Sequence, residues 1–270
     1  MKKIIVATDY SESASNAVEY GVSLANHFGS LLSLVSAVEE PYSAAAGALV
    51  DIKDHIREEA METMGKVREE VEPRLKNGAT IDTHTVDGEP GPTITRVAKA
   101  KGYDMIVMGT KGSTAARELF TGSVANSVIK NSKLPILAVP AGVAFHNFRR
   151  VLLSVDERKL AGPQVLQPLV DILRAYNAEL IIYHGDVDGD GKGYDPELPN
   201  YLAGINHRFE VRSGQEDISQ GIQKAVKLHE ADLLCMIYHD HGFFGRLFNE
   251  STVSKVVFNS TAPLLVLQDH

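Results

Sequence analysis

Three glycines and a serine in the first half of the chain have a spacing that suits an anion-binding loop. Residues 105–108 form an apolar run that predicts a buried parallel strand. Gly109, Gly112 and the pair Gly122-Ser123 follow, and an apolar-periodic segment after them predicts a helix. Strand, loop and helix N-terminus in this order present unpaired N–H groups and the positive end of a helix dipole. The spacing indicates a phosphate site, with ordinary turn and cap glycines as the alternative interpretation.

Strand and helix patterns alternate around this loop. Short apolar runs predict strands at residues 3–8, 31–38, 81–86, 105–108 and 134–139. Ser11 is placed to cap the first helix and Gly29 to end it, and a Gly-Glu-Pro-Gly-Pro segment predicts a turn before a helix over residues 93–100. Alternating β and α elements favour an α/β fold with a doubly wound parallel sheet and right-handed crossovers.

The spacing Gly109-x-x-Gly112, nine residues, then Gly122-Ser123 resembles the ATP-binding loop of the universal stress protein family. The resemblance implies an adenine nucleotide alpha-hydrolase-like fold with five parallel strands in the order 3-2-1-4-5, and ATP with Mg²⁺ as the ligand. It also places Ala37 at an adenine-wall position that usually holds valine, which loosens the base pocket. The residues that the resemblance assigns to ATP are Ala7, Thr8, Asp9, Ala37, Met108, Gly109, Gly112, Gly122, Ser123, Val124 and Ala125.

Asp9 follows the first predicted strand, and Gly109 ends the fourth. In open α/β sheets, ligands bind beyond the carboxyl ends of the strands where the strand order reverses. With the implied order, that point lies between strands one and four, so Asp9 is expected to face the glycine loop. A carboxylate there suits ribose hydroxyls or a phosphate-bound divalent cation. The alternative is that Asp9 only caps a helix or a turn.

The second half of the chain repeats the first. RVLLSVD at residues 150–156 matches KIIVATD, DLLCMI at 232–237 matches DMIVMG, and PLLVL at 263–267 matches PILAV. We therefore expect two domains, 1–140 and 150–270, joined by a linker that carries Gly and Pro. The chain resembles a tandem universal stress protein. In that family the fifth strands pair, which implies an intrachain pseudo-dimer through residues 134–139 and 263–267.

The repeat has diverged where the glycine loop should be. In the second copy, Ile237, Asp240 and Glu250 stand at the positions of the three glycines. Side chains then fill the space that a phosphate chain needs, and two of them are acids that repel it. The sequence predicts that the second domain does not bind ATP through this loop. Its second and third strands are also close in sequence, so most of the long second helix is expected to be missing.

Two sets of residues in the second half are candidate metal ligands. Asp186, Asp188, Asp190 and Glu197 have the spacing of a calcium loop, although a strand rather than a helix precedes them. Asp156, His184, His239 and His241 follow predicted strands at one edge and suit zinc or another transition metal. The alternatives are a solvated acidic loop for the first set and ordinary hydrogen-bonding histidines for the second.

Composition excludes several classes of protein. The net charge of −8, with dispersed Lys and Arg, disfavours nucleic-acid binding. No apolar run reaches the length of a membrane span, and the first residues have too short an apolar stretch for a signal peptide. The lone cysteine, Cys235, lies in an apolar run and fits the core of a protein in the reducing cytoplasm.

These patterns predict a cytoplasmic, ATP-binding regulatory protein that is not an enzyme, with nucleotide in the first domain only. No Walker-type lysine, water-positioning glutamine or arginine finger accompanies the loop, although slow ATP hydrolysis is compatible with it. The alternatives are a nucleotide hydrolase, or an interaction scaffold that needs no nucleotide and carries a metal in the second domain. An unidentified protein partner and a homodimer of chains remain open.

Overall fold

The computed structural model describes residues 1–39, 48–110, 123–186, 193–213, 218–239 and 260–270, with the backbone alone at 48–53, 186, 212 and 213. The chain divides into two compact units, Met1–Ser132 and Lys133–His270. No helix among these residues is long and apolar enough to cross a membrane.

The first unit alternates strands and helices along the chain. Its elements are β1 (Lys3–Ala7), α1 (Glu12–Phe28), β2 (Leu31–Val38), α2 (Ala48–Val71), β3 (Thr80–Asp87), α3 (Pro90–Lys101), β4 (Met105–Gly109) and α4 (Ser123–Asn131). The strands lie in the order β3-β2-β1-β4, and all the neighbouring pairs are parallel. β1 lies in the middle and is buried from Ile4 to Ala7, as expected for a strand covered on both faces.

Helix α1 begins and ends at the residues that the sequence predicts. Ser11 is its N-cap and accepts a hydrogen bond from the Ala14 N–H, while Gly29 ends it in the left-handed conformation at φ 61°. The middle of the helix lies close to β1, because a Cβ added at Gly21 would stand 2.5 Å from Val6 Cγ2. A glycine at this position therefore allows helix and sheet to approach closely.

Helix α3 corrects the sequence interpretation of the Gly-Glu-Pro-Gly-Pro segment. The predicted turn is wrong at its second half, since the helix begins at Pro90 and takes Pro-Gly-Pro as its first turn. Proline is favoured at the first helical position, where its missing N–H would have no partner within the helix. Gly91 lies against α4, since a Cβ there would stand 2.5 Å from Ser127 Oγ.

The second unit contains β5 (Ile136–Val139), β6 (Arg150–Val155), α5 (Gln167–Tyr176), β7 (Glu179–Asp186), α6 (Leu198–Tyr201), β8 (His207–Ser213), α7 (Ile218–Leu228), β9 (Leu233–His239) and β10 (Leu264–Asp269). The order β8-β7-β6-β9-β10 is the predicted 3-2-1-4-5 arrangement, and these strands are parallel. Between the second and third strands, a four-residue helix stands where the first unit has 24 residues of α2.

Strand β5 packs within the second unit, although the sequence assigns it to the end of the first domain. It runs antiparallel to β10, with Ala138 opposite Leu264 and Ile136 opposite Val266. This is the pairing of apolar fifth strands that the family resemblance implies. Cys235 on β9 is fully buried, as expected, and burial raises the pKa of its thiol.

One aspartate in each unit repeats the same structural role. Asp104 precedes β4, and its Oδ2 accepts hydrogen bonds from the N–H groups of Lys2 and Lys3 at 2.5 and 2.9 Å. Asp232 precedes β9, and its Oδ2 accepts from Arg149 and Arg150 at 2.8 and 2.9 Å. Both carboxylates satisfy backbone donors at the start of the neighbouring strand, so the sequence repeat is also a repeat of structure.

Candidate functional site

The carboxyl ends of β1 and β4 meet at one edge of the first sheet. The strands are parallel neighbours, with Ala7 opposite Met108. The chain continues from β1 to β2 on one side of β1, while β4 lies on its other side, so the strand order reverses here. Thr8 and Asp9, which follow β1, and Gly109, which ends β4, therefore belong to the edge of the sheet where ligands bind in doubly wound folds.

Asp9 is exposed at this edge and also holds a local turn. Its Oδ1 accepts hydrogen bonds from the Ser11 hydroxyl at 2.6 Å and from the Ser11 N–H at 3.1 Å. Such an Asx turn leads directly into the N-cap of α1. The capping role considered for Asp9 is thus present, on a side chain that stays exposed.

Tyr10 adopts a backbone conformation that is unusual for a bulky side chain, with φ at 64°. Its N–H donates to Thr8 Oγ1 at 3.1 Å, and its hydroxyl donates to the Ala60 carbonyl in α2 at 2.8 Å. Burial raises the pKa of Tyr10, and a hydrogen bond with Ser36 opposes that rise. Tyr10 therefore joins the turn after β1 to the long helix α2, a contact that the sequence did not predict.

Gly109 is required by the packing of α1 against β4. A Cβ at this position would stand 2.4 Å from Ser13 Oγ and 2.9 to 3.0 Å from the backbone carbon and oxygen of Ser13. Contacts this short with backbone atoms cannot be relieved by a side-chain rotation. The first turn of α1 therefore lies against the end of β4, where only glycine leaves enough room.

The other residues assigned to ATP are distributed along the same edge. Ala7 and Met108 are buried, and Ala37 near the end of β2 is half-buried. Ser123 is exposed where α4 begins, Val124 is half-buried and Ala125 is buried. Gly112 and Gly122 lie outside the described residues.

Thr110 was not singled out in the sequence and follows Gly109 directly. Its side chain is 2% exposed, and its Oγ1 has no hydrogen-bond partner among the described residues. A threonine after an apolar strand carries no distinctive sequence signal, so only the structure identifies this position.

In the second unit, side chains among the described residues occupy the corresponding edge. Asp156 accepts hydrogen bonds through Oδ1 from the Arg158 N–H at 3.1 Å and through Oδ2 from Arg158 Nε at 2.7 Å, and it also pairs with Nη2. Arg158, Leu160 and Ile237 line a cavity of about 10 Å³. That volume holds about one water molecule.

Two histidines at this edge also have protein partners. His184 is buried and its Nδ1 lies 3.2 Å from the Val155 carbonyl. His239 Nδ1 lies 3.1 Å from Asp269 Oδ2. Burial lowers the pKa of His239 and the positive charge of Arg158 lowers it further, against the opposing effect of the nearby carboxylates. Each of these side chains therefore has a structural role here.

The candidate metal ligands that the structure describes do not form one cluster. Asp186 ends β7, and the exposed Glu197 accepts a hydrogen bond from Asn200 at 2.9 Å. Asp188, Asp190 and His241 lie outside the described residues. Within the described parts of the chain, no group of three or more His, Cys, Asp or Glu residues is arranged to hold a metal ion.

Two doubly wound α/β units, each built on parallel strands with the strand order reversing beside its first strand, define the class of protein. The profile of the universal stress protein family matches residues 1–140. MJ0531, a universal stress protein of Methanocaldococcus jannaschii, is 33% identical over 141 residues, covering 51% of this chain and 81% of that protein. YxiE, a universal stress protein of Bacillus subtilis, is 30% identical over 144 residues, covering 51% of this chain and 97% of that protein. This chain belongs to the universal stress protein family.

The likeness in fold extends to both units. A universal stress protein from Archaeoglobus fulgidus DSM 4304, known from its crystal structure, matches 99% of this chain and 96% of its own. The TM-score is 0.77 at 22% sequence identity. The fold of both units is therefore shared with this solved structure.

Proposed function

We propose that this protein is a cytoplasmic ATP-binding regulator in which the first unit alone binds nucleotide. The observation that carries the proposal is that β1 and β4 are parallel neighbours where the strand order reverses, so that Asp9, which follows β1, and Gly109, which ends β4, belong to the same edge of the sheet. Nucleotides bind at this place in doubly wound sheets. The glycine spacing that continues from Gly109 supports a polyphosphate there.

The described residues fit an adenine nucleotide with Mg²⁺. Ala37 and Met108 offer small or apolar surfaces to a base, and the exposed carboxylate of Asp9 suits ribose hydroxyls or a phosphate-bound cation. Ser123 at the start of α4 brings a helix N-terminus to the same edge, where backbone N–H groups favour an anion. The protein would supply positioning and charge, and Mg²⁺ would neutralise part of the phosphate charge.

The filled edge of the second unit supports restriction to one nucleotide per chain. Arg158 is held by Asp156, and Ile237 occupies the position that corresponds to Gly109. The remaining cavity is far smaller than a ligand pocket, which typically measures about 300–1,000 Å³. A triphosphate would have to break the ion pair before it could enter.

Isothermal titration of the full chain with ATP and Mg²⁺ tests the proposal. We expect one ATP per chain and loss of binding in Gly122→Glu, which copies the residue of the second unit into the first. Gly65→Glu is the matched control, because it adds the same charge in α2 at an exposed position with open space around it. Two ATP molecules per chain, or none, would contradict the proposal.

A regulatory role predicts that bound ATP changes conformation or partner choice and is turned over slowly at most. Steady-state release of ADP or AMP under saturating ATP separates this role from that of a nucleotide hydrolase. Sustained multiple turnover would favour the enzyme interpretation, since typical enzymes reach about 1–10³ s⁻¹. A chain that binds no nucleotide would instead be an interaction scaffold.

A further inference from the structure

Tyr10 has contacts in the first unit that reach beyond the turn to which it belongs. Its φ of 64° lies in a region that a bulky residue occupies only where its surroundings hold it there. Its N–H donates to Thr8 Oγ1 at 3.1 Å, and Ser11 donates its N–H and its hydroxyl to Asp9. The turn that carries the exposed Asp9 carboxylate therefore also fixes the backbone of Tyr10.

The side chain of Tyr10 contacts helix α2. Its hydroxyl donates to the Ala60 carbonyl at 2.8 Å, between residues 50 positions apart in the sequence. Burial raises the pKa of Tyr10, against the opposing effect of a hydrogen bond with Ser36, so the phenol keeps its proton at neutral pH and stays a donor. One side chain thus joins the turn after β1 to the helix that follows β2.

The segment of α2 around this contact, residues 54–63, has no buried side chain. The first buried side chain after it is that of Met64. Within the segment, Arg57 pairs with Asp87 at the end of β3 at 2.9 Å, but the two side chains are 44% and 33% exposed, and exposed ion pairs stabilise little. A segment with few buried apolar groups opens locally at a low cost in free energy.

The C-terminal end of α2 is held more firmly. Val71 is 2% exposed, and Arg74, just beyond the helix, pairs through both terminal nitrogens with Glu19 on α1. Asn26 of α1 also donates to the Arg74 carbonyl at 3.1 Å. Packing and α1 therefore hold this end, so segment 54–63 can leave the sheet while the C-terminal end of the helix stays in place.

The second unit has neither the tyrosine nor the long helix. In the repeat, Glu157 stands at the position of Tyr10, and it is exposed. Where the first unit has the 24 residues of α2, the second has the four-residue helix α6. The two partners of the contact thus occur together, in the unit whose sequence keeps the glycine spacing.

A ligand bound at Asp9 would act on α2 through this contact. Ribose hydroxyls or a phosphate-bound cation at the Asp9 carboxylate would bind only the ordered turn. Such a ligand lowers the population of every state in which the turn is disordered, including states in which turn and helix separate. We propose that Tyr10 couples the nucleotide site of the first unit to segment 54–63, so that bound ATP keeps this segment on the sheet; the inference rests on the proposed function of the first unit.

Hydrogen exchange of the full chain tests this coupling, with mass spectrometry as the readout and with ATP and Mg²⁺ at concentrations that saturate each protein. In the wild type, we expect ATP to slow amide exchange in segment 54–63 by about 5- to 150-fold, the usual range of coupling between two sites. Unchanged or faster exchange there at saturating ATP would overturn the inference.

Tyr10→Phe removes the hydroxyl and keeps the ring. The slowing by ATP in segment 54–63 should then fall below about twofold, while slowing elsewhere in the unit persists. A Tyr10 that only stabilised the fold would speed exchange by the same factor with and without ATP, and the slowing by ATP would remain. Tyr103→Phe is the matched control, because it changes a buried tyrosine outside both the turn and α2, and it should leave the effect of ATP intact.

Arg57→Gln distinguishes the tyrosine from the ion pair. It removes the other contact of segment 54–63, so exchange without ATP should become faster. ATP should still slow exchange in this variant, because Tyr10 is intact. Loss of the ATP effect in Arg57→Gln together with its retention in Tyr10→Phe would assign the coupling to the ion pair and overturn the inference.

Titration of the same proteins with ATP separates the two proposals. If the wild type binds ATP and exchange in segment 54–63 does not slow, this inference alone is wrong. If Tyr10→Phe fails to fold, the hydroxyl is a requirement of the fold, and the inference is again wrong. If the wild type binds no ATP, this inference and the proposed function fail together.

Discussion

Replacement of Gly109 by alanine separates the packing role of this residue from any role in binding. The added Cβ would stand 2.4 Å from Ser13 Oγ and 2.9 to 3.0 Å from the Ser13 backbone carbon and oxygen. The hydroxyl can rotate away, but the backbone atoms belong to the first turn of α1. The substitution must therefore shift that turn away from β4.

Overpacking of this kind costs about 1–3 kcal/mol. Because the shortest contact is to a side chain and the other two are to backbone, Ser13→Gly should recover only part of the loss. Urea unfolding monitored by circular dichroism measures the free energy of unfolding for the wild type, both single variants and the double variant. The two sites are in contact, so the double-mutant cycle should show coupling of about 0.5–3 kcal/mol.

Gly65→Ala is the matched control for this experiment. Gly65 lies in α2 with nothing within 4 Å of an added Cβ. Alanine should stabilise the helix there by up to about 1 kcal/mol, the reverse of its effect at Gly109. If Gly109→Ala left the free energy of unfolding unchanged within about 0.5 kcal/mol, the close approach of α1 to β4 would not be a rigid constraint, and the packing argument would be refuted.

Three further predictions follow from named contacts. Tyr10→Phe removes the hydrogen bond to the Ala60 carbonyl. We expect the free energy of unfolding to fall by about 1 kcal/mol and amide hydrogen exchange in α2 to become faster. Unchanged exchange would show that Tyr10 does not stabilise that helix. Asp104→Ala and Asp232→Ala each leave two backbone N–H donors without their acceptor. Urea unfolding should show that each substitution lowers the free energy of unfolding by about 1–3 kcal/mol. A loss for only one of the two substitutions would contradict the shared role. His239 has a lowered pKa, so it contributes stability above about pH 6.5 that is lost as the pH falls. His239→Gln should therefore flatten the decline in urea midpoint between about pH 7.5 and about pH 5.5, and an equally steep decline would exclude His239 as the cause.

The order of elements was predictable because it depends on local patterns. Apolar runs of strand length alternate with helical periodicity, and the capping residues Ser11 and Gly29 act on their own helix. The pairing of β5 with β10 also followed from two apolar runs and the family resemblance. The start of α3 was misplaced because the proline-glycine segment was interpreted as a turn, whereas proline is equally suited to the first turn of a helix.

The arrangement of the candidate site at the carboxyl ends of β1 and β4 was predictable only in part. The placement of Asp9 and Gly109 at one edge of the sheet follows from the strand order, which the alternation of elements and the family resemblance predict. The contact between Tyr10 and Ala60 joins residues far apart in sequence, and no local pattern encodes it. Likewise, the proximity of Ser13 to Gly109 depends on the packing of α1 against β4.

The two units differ both at the position of Gly109 and in the segment that follows the first strand. In the first unit, α1 begins at Glu12, directly after the turn held by Asp9, and its first turn leaves no room for a side chain at Gly109. In the second unit, the segment after Asp156 stays non-helical until the 3-10 turn Pro163–Leu166, and Ile237 is accommodated at the corresponding place.

This difference bears on how nucleotide binding could be restored to the second unit. Ile237→Gly alone would leave Arg158 bonded to Asp156 and would open a cavity in a buried site, at a cost of about 2–5 kcal/mol. We therefore expect the variant to be less stable and still unable to bind a second ATP. A second equivalent of ATP bound by Ile237→Gly would mean that the glycine positions alone determine binding, and that the surrounding turn and ion pair do not.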